Sequence, residues 1–136
     1  MVFDLNKIEK LQGYDLVLLI DNIYKDADGY FLYIFFIYKP NCFKKIGRVT
    51  LRMGESEDIQ YLGNMGYCIT KRHRRKNYAT NACKVVLEYL KAQGITDITI
   101  TTNFDNKASR RVCEKLGGVQ VGTVSRGRNT KLVYVV

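Results

Sequence analysis

The fold of this chain is decided by the stretch Ile69-Thr-Lys-Arg-His-Arg-Arg-Lys-Asn-Tyr-Ala-Thr80. The run Met65–Thr70, which leads into it, is rich in strand formers. Six residues then share one helical face at spacings of three and four: Tyr78, Ala82, Val85, Val86, Tyr89 and Leu90. The sequence therefore predicts a strand, a basic turn and a helix over Tyr78–Gln93, with Gly94 as the stop signal.

The turn between this strand and this helix is suited to an anion. The first amide N–H groups of a helix have no partner inside the helix, and the helix dipole favours negative charge there. The turn itself, Lys71–Lys76, is crowded with cations. We interpret it as a site for the pyrophosphate of a nucleotide cofactor. The alternative is an ordinary strand-to-helix connection whose charges are only solvated.

Length and composition predict one globular domain over residues 1–136. The chain carries 22 Lys and Arg against 13 Asp and Glu, a net charge of +9, and 46% of its residues are hydrophobic. This composition excludes a disordered chain, and the charge suits an anionic partner such as a nucleotide, a nucleic acid or an anionic surface. The longest apolar run, Tyr30–Tyr38, is too short to cross a bilayer.

The cysteines do not form a metal-binding pattern. They are Cys42, Cys68, Cys83 and Cys113, no two of which form a CxxC pair, and His73 is the single histidine. We therefore expect no metal site. Free thiols are typical of a reducing compartment, and no secretory signal follows Met1, so we expect a cytoplasmic protein.

The rest of the chain alternates strand patterns with two helices. Met1–Gly13 is a short strand or one helical turn, and Gly54–Gln60 is an exposed acidic loop. A second helix begins at the N-cap Asn106 and ends at Gly117-Gly118. Strands are predicted over Tyr14–Ile20, Phe31–Tyr38, Lys45–Arg52, Met65–Thr70, Asp97–Thr102, Val119–Ser125 and Thr130–Val136. The order is β-β-β-β-α-β-α-β-β, an α/β domain around one sheet.

Two segments together resemble the GCN5-related N-acetyltransferase (GNAT) superfamily, whose acetyl-CoA loop reads Arg/Gln-x-x-Gly-x-Gly/Ala. The first is Arg74–Ala79, and the second is Asn106–Gly117, which matches a later helix of the family, Asn-x-x-Ala/Ser-x-x-x-Tyr-x-x-x-Gly. The similarity runs from about Lys45 to the C-terminus. It implies a mixed, mostly antiparallel central sheet with helices packed on it. Only Asp21–Gly29 separates two early strands, so the first two family helices are reduced or absent.

The resemblance implies a set of residues that bind acetyl-CoA. Arg74 takes the first position of the loop, Asn77 replaces its middle glycine and Ala79 takes the last position. Asn tolerates left-handed backbone angles better than other non-glycine residues, so the turn can survive this change. The strand before the loop corresponds to the one that pairs with the pantetheine arm and splays from its neighbour. The implied cofactor-binding residues are Cys68, Ile69, Thr70, Arg74, Arg75, Lys76, Asn77, Tyr78, Ala79, Thr80, Asn103, Asn106 and Ser109.

The catalytic residues are less well defined by the resemblance. Cys113 stands where many family members have the tyrosine that returns a proton to the leaving thiolate; the alternative is a small buried residue. Tyr67 is another candidate donor. For the base, Glu55, Glu57 and Asp58 lie just upstream of the strand, although in the predicted surface loop. His73 is interpreted as a solvated charge.

The function implied by the resemblance is acetyl-CoA-dependent transfer of an acetyl group to a primary amine of a small molecule or a protein. A homodimer could complete the thin acceptor site, and no membrane partner is expected. Two alternatives stay open. One is a basic nucleic-acid-binding module, although aromatics do not interleave with the basic run. The other is a CoA-binding protein of the same fold without activity.

Overall fold

The structure, a computed structural model, describes residues 10–27 and 29–136. In this part of the chain eight strands and three helices follow one another in the order β1 Lys10–Gly13, β2 Leu16–Lys25, β3 Phe31–Tyr38, β4 Gly47–Met53, α1 Glu57–Leu62, β5 Met65–Ile69, α2 Tyr78–Ala92, β6 Thr99–Asn103, α3 Lys107–Lys115, β7 Val119–Arg126 and β8 Asn129–Val135. A single 3₁₀ turn, Lys71–His73, lies between β5 and α2. The described part contains no helix able to span a membrane.

The strands form two antiparallel sheets, where the sequence predicted one. Five strands pair in the order β1-β2-β3-β4-β5, and three pair in the order β6-β8-β7. Strands β5 and β6 lie side by side without a ladder between them. The α/β fold class is confirmed. The predicted single sheet is corrected to two sheets, because β5 and β6 form no hydrogen-bonded ladder. Residues 10–27 and 29–56 contain no helix, so the early strands follow one another directly.

Helix α2 covers the inner face of the five-stranded sheet and forms the centre of the core. Ala82, Val85, Val86 and Leu90 are almost completely buried, as the helical spacing predicted, whereas Tyr78 and Tyr89 are only half-buried. They pack against the alternate buried residues of the strands, such as Phe35. The helix therefore holds the sheet from one side and fixes where its own N-terminus lies.

Two N-terminal predictions are corrected by the β1–β2 hairpin. The strand predicted from Tyr14 begins at Leu16, because Tyr14 and Asp15 both have positive φ (50° and 61°) and form a two-residue turn. Of the uncertain segment Met1–Gly13, the last four residues form β1, and residues 1–9 lie outside the described residues.

The predicted turn at 26–29 includes Asp28, which also lies outside the described residues; Gly29 N–H donates to Asp26 O at 3.0 Å.

The predicted acidic loop Gly54–Gln60 is wrong in part, because helix α1 begins inside it. Ser56 caps this helix, and its side chain accepts a hydrogen bond from Asp58 N–H at 3.1 Å. The acidic residues of the first turn favour the helix through its dipole. Ile59 and Tyr61 are buried on the inner side of the helix, so the segment packs on the domain and is not a free loop.

One asparagine joins the two sheets just after α1. The Asn64 side chain accepts hydrogen bonds from the Thr99 amide and hydroxyl on β6, both at 3.0 Å, and donates to Arg52 O on β4 at 3.1 Å. Beside it, Gly63 bridges to Ile100. The sheets are thus held together at the start of β5 and diverge beyond it.

We expect Gly47→Ala to destabilise the protein by about 1–3 kcal/mol, because the new methyl group has no room. A Cβ built at Gly47 lies 2.2 Å from the Cys68 carbonyl oxygen of the paired strand β5. Gly122→Ala is the matched control, since nothing lies within 4 Å of a Cβ built there. It should change stability by less than about 0.5 kcal/mol. Urea unfolding followed by circular dichroism tests both, and equal stabilities for the two variants would contradict the pairing of β4 with β5.

Candidate functional site

A cleft of about 710 Å³ lies where β5 and β6 diverge. One end is formed by the turn before α2, with His73, Arg74 and Tyr78. The other end lies near α1, where Leu62 and Arg52 line it. The cleft therefore runs the length of β5, from the N-terminus of α2 to the point where Asn64 joins the sheets.

The turn at the first end is held open by two residues with left-handed backbone angles. Arg75 has φ 65°, and Asn77 has φ 62° and ψ 14°. The prediction that Asn77 keeps the glycine-like turn is confirmed. Its side-chain oxygen accepts a hydrogen bond from Lys115 Nζ at 2.7 Å. Arg74 Nε donates to the Ile69 carbonyl at 3.0 Å, which fastens the turn to the end of β5.

The first turn of α2 offers amide donors to the cleft. The first i→i−4 bond of the helix runs from Asn81 N–H to Asn77 O, at 3.0 Å. The amides of Tyr78, Ala79 and Thr80 therefore have no carbonyl to bond within the helix. Tyr78 and Ala79 line the cleft, as do Arg74 and Arg75. No Asp or Glu is among the described residues that line it. Amides, cations and the helix dipole at one point are the donor set that a diphosphate requires.

Tyr67 lies in the middle of the cleft. Its neighbours Met65 and Ile69 are buried, so Tyr67 points to the same side of β5, toward α3. There its hydroxyl donates to Ser109 Oγ at 2.9 Å. Burial raises the pKa of Tyr67 to about 12, and the hydrogen bond to Ser109 opposes this rise. The hydroxyl therefore keeps its proton at neutral pH and can donate it.

Cys113, the other predicted proton donor, does not reach the cleft. Its exposed fraction is 0%, and it packs in the core. Burial raises the pKa of its thiol to about 11. A buried side chain cannot exchange a proton with a molecule in the cleft, so the structure corrects the assignment of Cys113 to the site.

The predicted cofactor-binding residues divide between the cleft and its support. Eight of them line it: Cys68, Ile69, Arg74, Arg75, Tyr78, Ala79, Asn106 and Ser109. Five are not brought to its wall: Thr70, Lys76, Asn77, Thr80 and Asn103. Several of these five have structural contacts. Thr70 Oγ1, for example, donates to Ile46 O at 2.9 Å and lies 2.8 Å from His73 Nδ1, and Thr80 is buried.

Asn106 caps α3, as predicted, and its side chain accepts from Ser109 N–H at 3.1 Å. Asn106 therefore both caps the helix and lines the cleft, two roles that the sequence analysis allowed together. Arg110 lies against Phe104 and Tyr134: its Nη1 donates to Phe104 O at 3.2 Å and its Nε to Tyr134 Oη at 3.4 Å.

The sequence did not reveal the lining of the second end, where Arg52, Thr101 and Lys131 come from three different strands. Nothing local in any of the three strands showed that these residues meet. The candidate bases Glu55, Glu57 and Asp58 do not line the cleft. Asp58 instead forms a salt bridge with Arg126, at 2.6 Å.

The turn at Asn77 can be tested by comparing Asn77→Gly with Asn77→Ala. Both variants lose the hydrogen bond from Lys115, but only alanine is strained at φ 62°. We expect the alanine variant to be less stable than the glycine variant by roughly 1 kcal/mol. Thermal unfolding measures the difference. Equal melting temperatures would show that the backbone is not left-handed at this position.

Comparison with known proteins agrees with this geometry. Residues 12–119 match the family model of the acetyltransferase (GNAT) domain. A search of the curated proteins finds no match. Among solved structures, an acetyltransferase (GNAT family) from Bacillus anthracis superimposes with a TM-score of 0.63 at 20% identity, over 76% of this chain and 64% of that one.

Two further solved structures are similar. The ribosomal-protein-S5-alanine acetyltransferase from Vibrio fischeri has a TM-score of 0.64 and 21% identity, over 76% of this chain and 60% of that one. The microcin C7 self-immunity acetyltransferase MccE, in complex with acetyl-CoA and AMP, has a TM-score of 0.62 and 21% identity, over 77% of this chain and 61% of that one. This chain thus spans less than two thirds of each of these proteins. The match over residues 12–119, together with the cleft between two splayed strands, establishes that the chain belongs to the GNAT acetyltransferase domain family.

Proposed function

We propose that this chain is an acetyl-CoA-dependent N-acetyltransferase that transfers an acetyl group to a primary amine of a small molecule or a protein. The observation that carries this proposal is the continuous cleft from the N-terminus of α2, between β5 and β6, to the opposite face of the sheets. Family membership supports it, as does the acetyl-CoA complex of one solved neighbour.

The turn before α2 is the proposed diphosphate site. The amides of Tyr78 and Ala79 would donate to phosphate oxygens, because they have no partners within the helix. Arg75, which is exposed at this end, would add a charge-assisted hydrogen bond. Arg74 has a second task, since its bond to the Ile69 carbonyl keeps the turn against β5.

Strand β5 is the proposed binding edge for the pantetheine arm. It pairs with β4 on one side and has no ladder to β6 on the other. Its free backbone groups can therefore pair with an extended amide chain, as an additional strand would. An arm bound there would extend from the end of β5 at Ile69 toward Gly66, and so from the diphosphate site toward the second end of the cleft.

Tyr67 is the proposed proton donor. Acetyl-CoA, when bound, supplies an activated thioester; the amine nitrogen forms the new bond to the acetyl carbon as the carbon–sulfur bond breaks. The leaving sulfur then requires a proton. The Tyr67 hydroxyl is protonated at neutral pH and lines the cleft. It would turn its O–H from Ser109 to the sulfur, give up that proton and regain one through the water that takes the proton of the amine.

Proton removal from the amine does not require a carboxylate of the cleft. Direct attack depends mainly on positioning and on a neutral amine. The cations that line the cleft, without any carboxylate among the described lining residues, disfavour the ammonium form of an acceptor. We propose that the acceptor is deprotonated through water.

The proposed setting is the cytoplasm, where acetyl-CoA occurs and the four cysteines would stay reduced. The homodimer stays a prediction.

We expect acetyl-CoA to bind the wild-type protein, and the double variant Arg74→Glu, Arg75→Glu to bind it roughly a hundredfold more weakly, because two charge-assisted hydrogen bonds are replaced by repulsion. Isothermal titration calorimetry measures the dissociation constant. Arg75→Gln removes one proposed phosphate contact but keeps the bond of Arg74 to Ile69 O, so it distinguishes loss of that contact from disruption of the turn. Arg128→Glu, in the exposed β7–β8 turn, changes the charge outside the cleft and should bind as the wild type does.

An absence of wild-type binding at high micromolar acetyl-CoA would exclude the transferase and leave the nucleic-acid-binding alternative. Binding unchanged in the double variant would show that the diphosphate lies elsewhere.

We expect Tyr67→Phe to lower kcat by roughly a hundredfold while the KM for acetyl-CoA changes little, since the hydroxyl acts on the leaving group and not in binding. The rate is measured as release of the CoA thiol from acetyl-CoA, with an acceptor chosen from a panel of amines. Cys113→Ala is the comparison, and because Cys113 is buried its kcat should stay near the wild-type value. A large loss of kcat in Cys113→Ala with little change in Tyr67→Phe would instead identify Cys113 on α3 as the proton donor. Binding without acetylation of any amine would favour the inactive CoA-binding protein.

A further inference from the structure

The second end of the cleft opens on the face of the sheets opposite α2 and α3. On β4, Val49 and Leu51 are buried against the core, so Arg52 points to the other side. A Cβ built at Gly66 on β5 would lie 3.7 Å from Arg52 Nη1, which places both residues on this face. Their side of the sheet is the one that an acceptor can approach without crossing α2.

Lys131 reaches the same end of the cleft from the other sheet. On β8 it alternates with the buried residues Leu132 and Tyr134, and Tyr134 contacts Arg110 of α3. Lys131 therefore points away from α3 and lies over the Tyr61 ring of α1, with its Nζ 4.5 Å from the ring centroid. Thr101 on β6, which pairs with Val133 two residues along β8 from Lys131, donates to Tyr61 O at 2.8 Å. Arg52 and Lys131 thus line one cavity from opposite sheets.

The charge at this end is positive even when neighbouring groups are included. Arg126 also lies over the Tyr61 ring, with its Cζ 4.6 Å from the ring centroid, and it forms a salt bridge with Asp58 at 2.6 Å. Asp58 also attracts Arg52. The side chains of Arg52, Lys131 and Arg126 therefore lie near the single carboxylate of Asp58, which already forms a salt bridge with Arg126. The Arg52 guanidinium donates to Gly63 O at the long distance of 3.5 Å and also hydrogen-bonds Tyr30, and with five donors in all it keeps others for a ligand.

This positive end is separate from the diphosphate site. Arg74 is fixed to Ile69 at the end of β5, whereas Arg52 lies beside Gly66 near its start. Three residues of extended strand separate these points by roughly 10 Å. Tyr67 lies between them. A diphosphate at α2 would leave Arg52 and Lys131 with no anionic neighbour except Asp58, which already forms a salt bridge with Arg126.

We propose that the acceptor amine carries an anionic group, a carboxylate or a phosphate, which Arg52 and Lys131 bind at the second end of the cleft. This inference rests on the proposed function, because it assigns the acceptor side of that same cleft. An anion held there positions the amine toward the middle of the cleft. Polyamines and other purely cationic amines are disfavoured, since like charges meet at this end.

The test is a nuclear magnetic resonance titration of the ¹⁵N-labelled protein saturated with CoA, so that the site at α2 is already filled. Two matched pairs of amines are compared: O-phosphoethanolamine with ethanolamine, and γ-aminobutyrate with γ-aminobutyramide. We expect the member of at least one pair that carries the phosphate or carboxylate to shift the Gly66 and Thr101 amide signals with a dissociation constant at least tenfold lower than that of the partner that lacks this group. The pair that responds distinguishes phosphate from carboxylate.

Lys131→Gln and Arg52→Gln should each reduce this preference, and Arg128→Gln is the control of equal charge outside the cleft. Retained dispersion of the amide signals shows that each variant is folded. If the Arg52 variant does not fold, the Lys131 variant alone tests the proposal. Equal binding of both members of both pairs, no binding at millimolar amine, or a preference unchanged in Lys131→Gln overturns the anionic acceptor while CoA binding stands. A protein that fails to bind CoA overturns the proposed function and this inference with it.

Discussion

The structure depends on the separation of β5 from β6. The two strands are adjacent, yet among the described residues the sheets are connected near the start of β5, by the hydrogen bonds of Asn64 and the bridge between Gly63 and Ile100. Beyond that point each sheet satisfies its own ladders and the strands diverge around a cleft. Unpaired strand edges are normally covered or blunted because they attract other chains. Here the free edge of β5 lies along a cleft of about 710 Å³, which has room for an extended ligand.

The second constraint is the backbone between β5 and α2. Two residues with positive φ, Arg75 and Asn77, turn the chain sharply enough for α2 to start at the end of the cleft. The helix is long and its inner face is buried, so its position is determined by the core and not by the turn. The free amides of its first turn are consequently held in place before any ligand arrives. Pre-organised donors of this kind lose little freedom on binding, and for that reason short polar turns can bind strongly charged groups.

The protonation chemistry is arranged across two elements. The residue that the family pattern assigns to proton donation, Cys113, is part of the core, whereas Tyr67 on the facing strand directs its hydroxyl to Ser109 on the same helix. A hydroxyl can therefore occupy the space beside α3 although α3 does not supply it. The lining of the cleft is cationic at both ends, with Tyr67 between them. In the proposed reaction, this distribution would separate the binding of charge from the transfer of a proton, because the half-buried tyrosine keeps its proton while the arginines stay charged.

Local features of this chain were determined by its sequence. Phe31–Tyr38 forms a strand with the predicted bounds, α2 has the predicted inner face, and Asn106 caps α3, because spacing, turn residues and caps act over a few positions. The signal for α1 was also local, in Ser56 and the acidic residues after it, and was misread as a loop. The resemblance implied that the strand before the loop splays from its neighbour and left two alternatives for Cys113. Only the tertiary structure decided that the strands form two separate sheets, that Cys113 is the buried alternative and that Arg52 meets Lys131. These outcomes depend on contacts between strands far apart in the chain, and no pattern within a single strand specifies which other strand will face it across a cleft.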